Sequence, residues 1–478
     1  MRSAPRGSGS SAHVFRPVVP LFEEVGDLRR PHEPRAARRG AGKALRQALP
    51  RSAHGAWRPA ADRPDALAIV LATNAGREPA LARLRLERMS ASPFAWLRGA
   101  AAVMAWDLSR LPATGVPVVA DGDAHLGNFG LYGTPQREVV FDLNDFDEAG
   151  LGAWEWDLKR LVVSVDLVAR ENGLSRGGRR RAVEGCARAY REAAAVLAKM
   201  GALELWYLNA FPGRGRPLEG VDVDWLPEVR EAAAGAAGHT GASLLPRIAE
   251  RRHGRWRFRD EPPVLRRVTG AARDAVIDSL RAYAASLPLD RRVMLRRYRV
   301  VDVAHRAAGV GSLGLRSWLV LLIGEGPGDP LVLQVKEAVA SVLAPYSPPL
   351  PPQLRGDDGV RVVHGQRTLQ ASVDPLLGHT RVGARACYVR QLRNLKGSVP
   401  LRWSSASRFG AYAASCGAIL ARAHARSGDA ARIAGYCGHA TTLDEALARF
   451  ADAYGDQVER DHAVFARAVR RGAGRTAA

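Results

Sequence analysis

Apolar residues recur at helical spacing along most of the chain, and short β-branched runs interrupt them. Between residues 158 and 168, leucines and valines fall on one helix face, and Asn172 with Gly173 ends that helix. Further helices are predicted at 80–88, 94–111, 179–200, 271–285, 361–375, 411–425 and 442–469. Strands are predicted at 117–120, 138–141, 316–324, 330–338 and 386–392. The pattern indicates a helix-rich α+β protein.

Length and composition narrow the class of protein. The 478 residues are too many for one simple core, so two or three lobes are expected. No run of 18 apolar residues occurs, and the N-terminus has no apolar signal region, so we expect neither a membrane span nor a signal peptide. Four scattered cysteines form no CxxC pair. This usage argues against a zinc site or disulfides and predicts a cytoplasmic protein.

The net charge of +22 attracts polyanions, but its distribution limits what it predicts. The arginines are spread over many predicted helices and the N-terminus, and aromatic residues do not alternate with them. We therefore expect nucleic-acid binding to be non-specific if it occurs at all. The chain has only five lysines, and a site that needs a compact ammonium cannot use arginine instead. These lysines are Lys43, Lys159, Lys199, Lys336 and Lys396.

A polar stretch at residues 116–149 follows two of the predicted strands. Its polar side chains form two clusters: Asp121, Asp123, His125 and Asn128, then Asp142, Asp145 and Asp147. Hard cations such as Mg²⁺ take oxygen ligands, usually one or two carboxylates together with substrate phosphates. The order of carboxylate, amide, strand and carboxylate suits such a site. The alternative is a polar hairpin in which Asp and Asn side chains make Asx turns.

A glycine segment near residue 310 is a second candidate for ligand binding. Gly309, Gly311 and Gly314 form G-x-G-x-x-G, but a strand rather than a helix is predicted to follow. A dinucleotide-binding fingerprint needs a helix there, so that interpretation is disfavoured. A glycine-rich hairpin followed by a strand that carries a lysine, here Lys336, is the arrangement of kinases. The alternative is a surface hairpin with an exposed lysine.

Two resemblances follow from these motifs. GDAHLGNFG with FDLNDFDEAGLGAWEWDLKRL resembles the HGDxHxxN…IDFDxAxxGxxxWDLA pattern of aminoglycoside and choline phosphotransferases in the protein-kinase-like superfamily. From about residue 41 to its end, the chain also resembles the bacterial family known as DUF2252. The phrases that carry this second resemblance are RMSASPFAWLRGAA, GDAHLGNFG, FDLNDFDEA, AGVGSLG, QVKEA and AHARSGD.

The kinase-like resemblance implies roles for the polar residues. Asp123 matches the catalytic-loop Asp that orients or deprotonates the acceptor hydroxyl. Asn128 matches the Mg²⁺-binding Asn, and Asp145 matches the metal-binding Asp. Asp142 and Asp147 are alternatives to Asp145, because this motif contains three aspartates.

The resemblance also implies supporting and nucleotide-binding residues. Asp157 matches the Asp at a helix start that braces the catalytic loop, and His125 would support the same loop. Lys336 would hold the α- and β-phosphates. The residues that would cover the phosphates are Gly309, Gly311, Ser312 and Gly314.

The sequence departs from the kinase-like pattern in three ways. The glycine segment and Lys336 follow the catalytic-loop motif instead of preceding it. Asp121 replaces the His that opens HGD. No Glu stands where the lysine partner is expected, because the next Glu after Glu337 is Glu445. Glu337 itself or one of two glutamines would have to replace that partner; the glutamines are Gln366 and Gln370.

The reversed order predicts a circularly permuted, protein-kinase-like fold of two lobes, with the catalytic-loop lobe before the glycine-loop lobe. Residues 1–40 are expected to be a disordered basic tail. Residues 41–290 would form the helical catalytic-loop region, and 291–400 the small β-containing region with the glycines and Lys336. Residues 401–478 would be C-terminal helices that pack on the helical lobe.

The expected function is that of an ATP- and Mg²⁺-dependent phosphotransferase. Its partners would be a nucleotide and an unidentified small-molecule or protein hydroxyl, with no membrane partner. One alternative is a pseudokinase-like module that binds nucleotide without transfer. A metallohydrolase is the less favoured alternative, because GDAH, Asn128 and DLNDFD could ligate two metals.

Overall fold

The computed structural model describes ten stretches of the chain, and all structural statements concern these residues. They are 14–19, 21, 29, 31–212, 214–216, 218–221, 224–307, 313–326, 328–392 and 394–472. Within them lie sixteen α-helices and twelve strands. The protein is therefore a helix-rich α+β protein, as the hydrophobic pattern predicts.

The helices are distributed over the whole described chain. In chain order they are α1 (Arg35–Ala48), α2 (Ala66–Ala72), α3 (Pro79–Met89), α4 (Pro93–Gly99), α5 (Ala101–Ser109), α6 (Trp154–Glu171), α7 (Arg176–Leu197), α8 (Ala202–Tyr207), α9 (Pro227–Ala237), α10 (Gly241–Ile248), α11 (Gly270–Ser286), α12 (Leu289–Leu295), α13 (Asp358–Leu369), α14 (Ala406–Ser427), α15 (Ala430–Cys437) and α16 (Thr442–Arg470). None of the helices in these stretches is long and apolar enough to cross a bilayer.

The strands form one large sheet and three small ones. They are β1 (Pro117–Ala120), β2 (Phe129–Gly133), β3 (Val139–Leu143), β4 (Gly150–Ala153), β5 (Ala249–Arg252), β6 (Arg255–Phe258), β7 (Leu265–Arg267), β8 (Arg299–Arg306), β9 (Ser317–Ile323), β10 (Pro330–Glu337), β11 (Gly378–Val382) and β12 (Arg385–Gln391). The large sheet is antiparallel, in the order β11-β12-β10-β9-β8-β7. The two-stranded sheets are β1-β4, β2-β3 and β5-β6.

The largest apolar core lies among the helices α6, α7, α14 and α16. Helices α7 and α14 pack closely, since a Cβ at Gly417 would overlap the backbone oxygen of Cys186. A second core joins α11 to one face of the large sheet through Tyr283 and Val335. The opposite face of the sheet packs on α10 through residues such as Val332.

Alternation along β10 directs two polar side chains out of these cores. Val332, Gln334 and Lys336 share one face of the strand, because successive side chains point to opposite faces. Val332 is buried against α10, whereas Gln334 and Lys336 line a cavity described below. The sheet therefore presents Lys336 towards the helical part of the molecule.

Several predicted boundaries differ from the observed ones. Residues 94–111 form two helices, α4 and α5, because Ala100 leaves the helical conformation (φ −109°, ψ 33°). The helix predicted at 179–200 begins earlier, since Gly177 and Gly178 lie in the first turn of α7. The Ser175 side chain accepts a hydrogen bond from the Gly178 N–H and caps that helix.

The expected tail at residues 1–40 is also shorter than predicted. Helix α1 begins at Arg35, and Arg38 contacts Asp429 at the N-cap of α15. A Cβ at Gly42 would overlap the backbone oxygen of Arg432, so α1 and α15 cross at close range. Residues 35–40 therefore form part of a packed helix, although their composition predicts a disordered tail. Most of residues 1–30 lie outside the described stretches.

Candidate active site

Two polar loops meet because of how the short strands pair. The first polar loop, residues 121–128, joins β1 to β2, and the second polar loop, residues 144–149, joins β3 to β4. Strands β1 and β4 pair Ala120 with Gly150, and β2 and β3 pair Phe129 with Leu143. This double pairing brings the two loops together at both ends, and the backbone N–H of Asn144 donates to the oxygen of Asn128 at 2.9 Å.

Asp157 holds the start of the first polar loop. It lies in the first turn of α6 and accepts hydrogen bonds from the backbone N–H groups of Asp121 at 2.6 Å and Gly122 at 2.9 Å. Gly122 has φ +77°, and a Cβ there would overlap the backbone oxygen of Glu148. Glycine is therefore required where the first loop passes the second. His424 of α14 contacts the same Asp157 carboxylate at 3.1 Å.

Asp123 is paired with an arginine that sequence reasoning missed. The Arg160 Nε donates to Asp123 Oδ1 at 2.7 Å, and a terminal nitrogen of the same guanidinium contacts that oxygen. Burial raises the pKa of Asp123 to about 7, although Arg160 opposes the shift. Arg160 follows Asp157 by three positions on α6, so helical spacing places both on the side that faces the loop. The three-residue spacing of Asp157 and Arg160 is the feature of the sequence that could have predicted this arginine.

Asn128 and His125 lie beside Asp123 in the first polar loop. The Asn128 side-chain Nδ2 donates to the backbone oxygen of Asp123 at 2.8 Å. His125 Nδ1 accepts from the Gly127 N–H at 3.0 Å, and its Nε2 lies 3.8 Å from Asp123 Oδ2. Burial, followed by the charges of Arg98 and Arg160, keeps the pKa of His125 well below its ordinary value. His125 therefore acts here as a hydrogen-bonded part of the loop.

Lys336 reaches the second polar loop from the large sheet. Its Nζ forms an ion pair with Asp147 Oδ2 and lies 3.9 Å from Asp145 Oδ1. The hydroxyl of Tyr388 donates to Asp147 Oδ1 at 2.9 Å, and Tyr388 is the cross-strand neighbour of Lys336. Burial alone would lower the pKa of Lys336, but Asp145 and Asp147 together raise it above the ordinary lysine value.

Asp145 differs from Asp147 in having a carboxylate oxygen that makes no hydrogen bond. Its Oδ1 is buried and makes no hydrogen bond with the described residues. Burial would raise the pKa of Asp145, but the charges of Lys336, Arg390 and Lys396 hold it below its ordinary value. Asp145 therefore presents a carboxylate oxygen without a hydrogen bond at the edge of the cavity.

Asp142, one of the two alternatives to Asp145 as a metal ligand, forms a buried ion pair. Its carboxylate pairs with Arg422 of α14, and both side chains are buried. The Tyr132 hydroxyl and the backbone N–H of Leu143 also donate to it, at 3.2 Å and 2.8 Å. The Asp142 carboxylate is therefore paired within the core, and it is not among the residues that line the cavity described below.

None of the three proposed substitutes for the missing Glu is hydrogen-bonded or ion-paired to Lys336. Gln366 donates to Gln370, which in turn donates to the backbone oxygen of Leu143. Glu337 points to the other face of β10 and pairs with Arg385 at 3.1 Å. The carboxylate partner of Lys336 comes instead from the DLNDFDEA segment, as Asp147.

Of the four residues predicted to cover the phosphates, Gly314 lies within the described residues. Gly309, Gly311 and Ser312 lie outside the described residues. Gly314 has φ +94°, and a Cβ there would lie 2.9 Å from the Cβ of Arg77. Its backbone oxygen accepts from the Glu78 N–H at 2.9 Å. Gly314 therefore needs to be glycine where the segment packs on the start of α3.

A cavity of about 620 Å³ lies between the large sheet, the second polar loop and α9. This volume is in the range of small-molecule sites. Its charged lining comprises one carboxylate, Asp145, and four cations: Arg306, Lys336, Arg390 and Lys396. Ala232, Gly235 and Ala236 of α9 form a small-residue wall. Of the predicted site residues, Asp145, Gly314 and Lys336 line this cavity, whereas Asp123, His125 and Asn128 lie on the first polar loop.

The described residues contain no group of three or more His, Cys, Asp or Glu side chains that could hold a metal ion. A cation at this site would therefore depend on an amide and on ligand oxygens as well as on the aspartates. Such shared coordination is usual for Mg²⁺ bound with phosphates.

Comparison with known proteins identifies the family. Residues 77–468 match the family DUF2252, described as an uncharacterized protein conserved in bacteria. The chain belongs to the DUF2252 family. This membership was expected from the sequence phrases and is confirmed. No curated protein and no solved structure matches the chain, so no comparison supports the kinase-like relationship. The matched part of this DUF2252 protein contains both polar loops, the large sheet and α14.

Proposed function

We propose that this DUF2252 protein is an ATP- and Mg²⁺-dependent phosphotransferase that acts on the hydroxyl of an unidentified small molecule or protein. One observation carries the proposal: Lys336 on the large sheet meets Asp145 and Asp147 of the second polar loop at the edge of a cationic cavity. Four cations beside one carboxylate favour a ligand with several negative charges.

The order of elements supports a permuted kinase-like arrangement of two lobes. Strands β7, β8, β9 and β10 are consecutive neighbours in the sheet, and Lys336 lies on the last of them. Helix α13 and strands β11 and β12 follow. Protein kinases also carry their lysine on a strand of the small lobe that a helix follows. Here the two polar loops precede this sheet in the chain, so the lobe order would be reversed.

Asp145 at the cavity and Asn128 of the first polar loop offer the kinds of oxygen ligand that a Mg²⁺ ion bound with phosphates would take. Asp145 offers an ionised carboxylate whose buried Oδ1 has no hydrogen-bond partner among the described residues. The side-chain Nδ2 of Asn128 donates to the backbone oxygen of Asp123, so the Asn128 Oδ1 is the atom that would bind the metal. Mg²⁺ prefers such oxygen ligands, and when bound it would neutralise charge on the phosphates.

The first polar loop has the groups that an acceptor hydroxyl needs. In phosphoryl transfer, the hydroxyl oxygen bonds to the γ-phosphorus, the bond to the bridging oxygen breaks, and ADP leaves. Asp123 would accept the hydroxyl proton, and a base with a pKa of about 7 is well matched to this task near neutral pH. Arg160 would orient the Asp123 carboxylate, and Lys336 would hold the α- and β-phosphates.

Thermal unfolding with and without millimolar Mg-ATP tests the proposal. We expect Mg-ATP to raise the melting temperature, because a ligand at 100 times its Kd stabilises by about 2.7 kcal/mol. Asp145→Asn and Lys336→Ala should each remove the shift. Lys43→Gln, an exposed lysine on α1, is the matched control and should retain it. An unchanged wild-type melting curve would contradict the proposal.

A nucleotide-binding module without transfer is the second candidate. The observation that favours it is the pairing of Lys336 with Asp147, because active protein kinases pair this lysine with a helix Glu. Such a module would show the same Mg-ATP shift but no ATP turnover with any acceptor. Measuring ADP release against a panel of metabolites and proteins separates the two candidates. The metallohydrolase alternative receives no support from the described residues, which contain no suitable ligand cluster.

A further inference from the structure

A second lysine, Lys396, lines the same cavity without a partner. It lies on the loop that follows β12, and its side chain is exposed. The Lys396 ammonium makes no hydrogen bond or ion pair with any described residue. By contrast, Lys336 pairs with Asp147, and Arg390 donates to Gln334 and to the backbone of Asn144. Lys396 is therefore the lysine in the cavity wall whose ammonium has no partner among the described residues.

The backbone around Lys396 is fixed on both sides. Its backbone oxygen accepts from His239 Nδ1 at 2.7 Å, and the Leu395 N–H donates to the His239 oxygen at 3.0 Å. Gly397 exchanges two backbone hydrogen bonds with Leu131, at 2.9 Å and 3.0 Å. These contacts attach the loop to the turn that follows α9 and to β2, so the position of the Lys396 backbone is set by the fold.

The residue before Lys396 is held in an unfavourable conformation. Leu395 has φ +51°, which non-glycine residues rarely adopt, and its side chain is buried beside Gly133. Such strain persists only where surrounding contacts enforce it, and it is concentrated at functional sites. The loop thus places an unpaired ammonium at the cavity at a cost in backbone energy.

The electrostatic surroundings favour an anion beside Lys396. Although the residue is open to solvent, partial desolvation at the cavity and then the charge of Arg390 lower the pKa of Lys396, with smaller contributions from Lys336 and Arg306 in the same direction. Asp145 is the carboxylate that opposes them. A negatively charged ligand would relieve this repulsion.

The amino-acid usage points to the same residue. Only five of the 70 lysine and arginine residues are lysines, and two of these five, Lys336 and Lys396, line one cavity. An ammonium is a compact point charge with three rotatable donors, unlike the planar guanidinium. Lysine at both positions suits the binding of phosphate oxygens from different directions.

We propose that Lys396 is a second anion-binding residue of the cavity, and that Lys336 and Lys396 hold different phosphates of one polyphosphate chain. The ligand class is then a nucleoside triphosphate rather than a nucleoside or a monophosphate. The nucleotide part of this inference rests on the proposed function, whereas the polyphosphate part rests on Lys396 and its surroundings.

Isothermal titration calorimetry with three probes tests the inference: Mg-ATP, AMP and inorganic tripolyphosphate. We expect Lys396→Gln to weaken Mg-ATP and tripolyphosphate binding by roughly tenfold, the loss expected for one hydrogen bond to a charged group. AMP binding should change by less than about twofold, as expected for a phosphate that Lys396 does not contact. Lys396→Gln should melt at the wild-type temperature, because the ammonium has no partner to lose, and Lys43→Gln is the matched control.

The pattern of outcomes shows which of the two proposals fails. If Lys396→Gln binds Mg-ATP and tripolyphosphate as tightly as wild type, the inference is wrong and the proposed function stands. An equal loss for AMP would also overturn it, because one phosphate would then suffice. If tripolyphosphate binds through Lys396 but Mg-ATP does not bind, the anion site stands and the proposed function fails. If neither probe binds to wild type, both are overturned.

Discussion

His424 Nε2 lies 3.1 Å from Asp157 Oδ2, although 267 residues separate the two in the chain. The other ring nitrogen of His424 lies 2.8 Å from the hydroxyl of Tyr190 on α7. Asp157 in turn accepts the backbone N–H groups of Asp121 and Gly122. The conformation of the first polar loop therefore depends on a buried series of contacts that ends on α7 and α14.

Asp157→Asn is expected to destabilise the protein strongly. The substituted amide can turn an NH₂ group towards the N–H groups of Asp121 and Gly122, which leaves a buried donor unsatisfied at a cost of about 1–3 kcal/mol. Tyr190→Phe removes only the outer hydrogen bond and should cost about 1 kcal/mol. Urea unfolding measures both free energies. Equal losses in the two variants would show that Asp157 does not hold the loop.

The ion pair of Asp142 with Arg422 should contribute to stability and not to ligand binding. Both side chains are buried, so Asp142→Ala leaves an uncompensated guanidinium and should cost about 3–5 kcal/mol. Replacing both residues, as Asp142→Leu with Arg422→Met, should recover part of this loss, since buried pairs can be exchanged for apolar residues. The folded double variant should bind Mg-ATP as wild type does. Loss of binding in a stable double variant would return Asp142 to the site.

Much of the local structure could be predicted from the sequence, because it follows from local pattern. The helix that ends at Asn172 and the strands that carry Lys336 and Tyr388 appear where apolar periodicity places them. The break at Ala100 was missed, because the apolar pattern continues through both α4 and α5. At the end of α4, Arg85 of α3 donates to the backbone oxygen of Gly99, and such a contact between helices leaves no trace in the apolar periodicity.

The partners of the polar residues could not be predicted in the same way. Arg422 and Tyr388 lie more than 200 residues from the aspartates that they contact, and neither position carries a local signal. Asp147 was predicted only as an alternative metal ligand, because the sequence does not distinguish the three aspartates of one motif. Strand pairing determines which of them faces Lys336, and that pairing is a property of the whole fold.

The raised pKa of Asp123 predicts a pH-dependent contribution to stability. Burial raises this pKa to about 7, so the folded state holds a proton that the unfolded chain releases at lower pH. The contribution of Asp123 is therefore most favourable below the ordinary Asp pKa, near 4, and is lost as the pH rises through about 7. Asp123→Asn should lack this dependence.

Thermal unfolding of wild type and Asp123→Asn between pH 4.5 and 8 measures the effect. The difference in melting temperature should move in favour of Asp123→Asn as the pH rises and should level off above about 7. A difference that stays constant across this range would show that Asp123 titrates with an ordinary pKa. It would also remove the argument that Asp123 is matched to proton transfer near neutral pH.

Asp145 and Asp147 should respond differently to the same substitution, because only Asp147 is fully paired. Asp147 contacts both Lys336 and Tyr388, so Asp147→Asn should lower the melting temperature while ATP affinity still depends on Mg²⁺. Asp145 has a buried oxygen without a hydrogen bond, so Asp145→Asn should melt near the wild-type temperature without ligand. It should lose the Mg²⁺-dependent part of ATP affinity, about a hundredfold, which is the loss that removes the thermal shift. Titrations of ATP with Mg²⁺ and with EDTA measure this difference. The reverse result would make Asp147 the metal ligand, and Mg²⁺ dependence retained in both variants would remove metal from the proposed site.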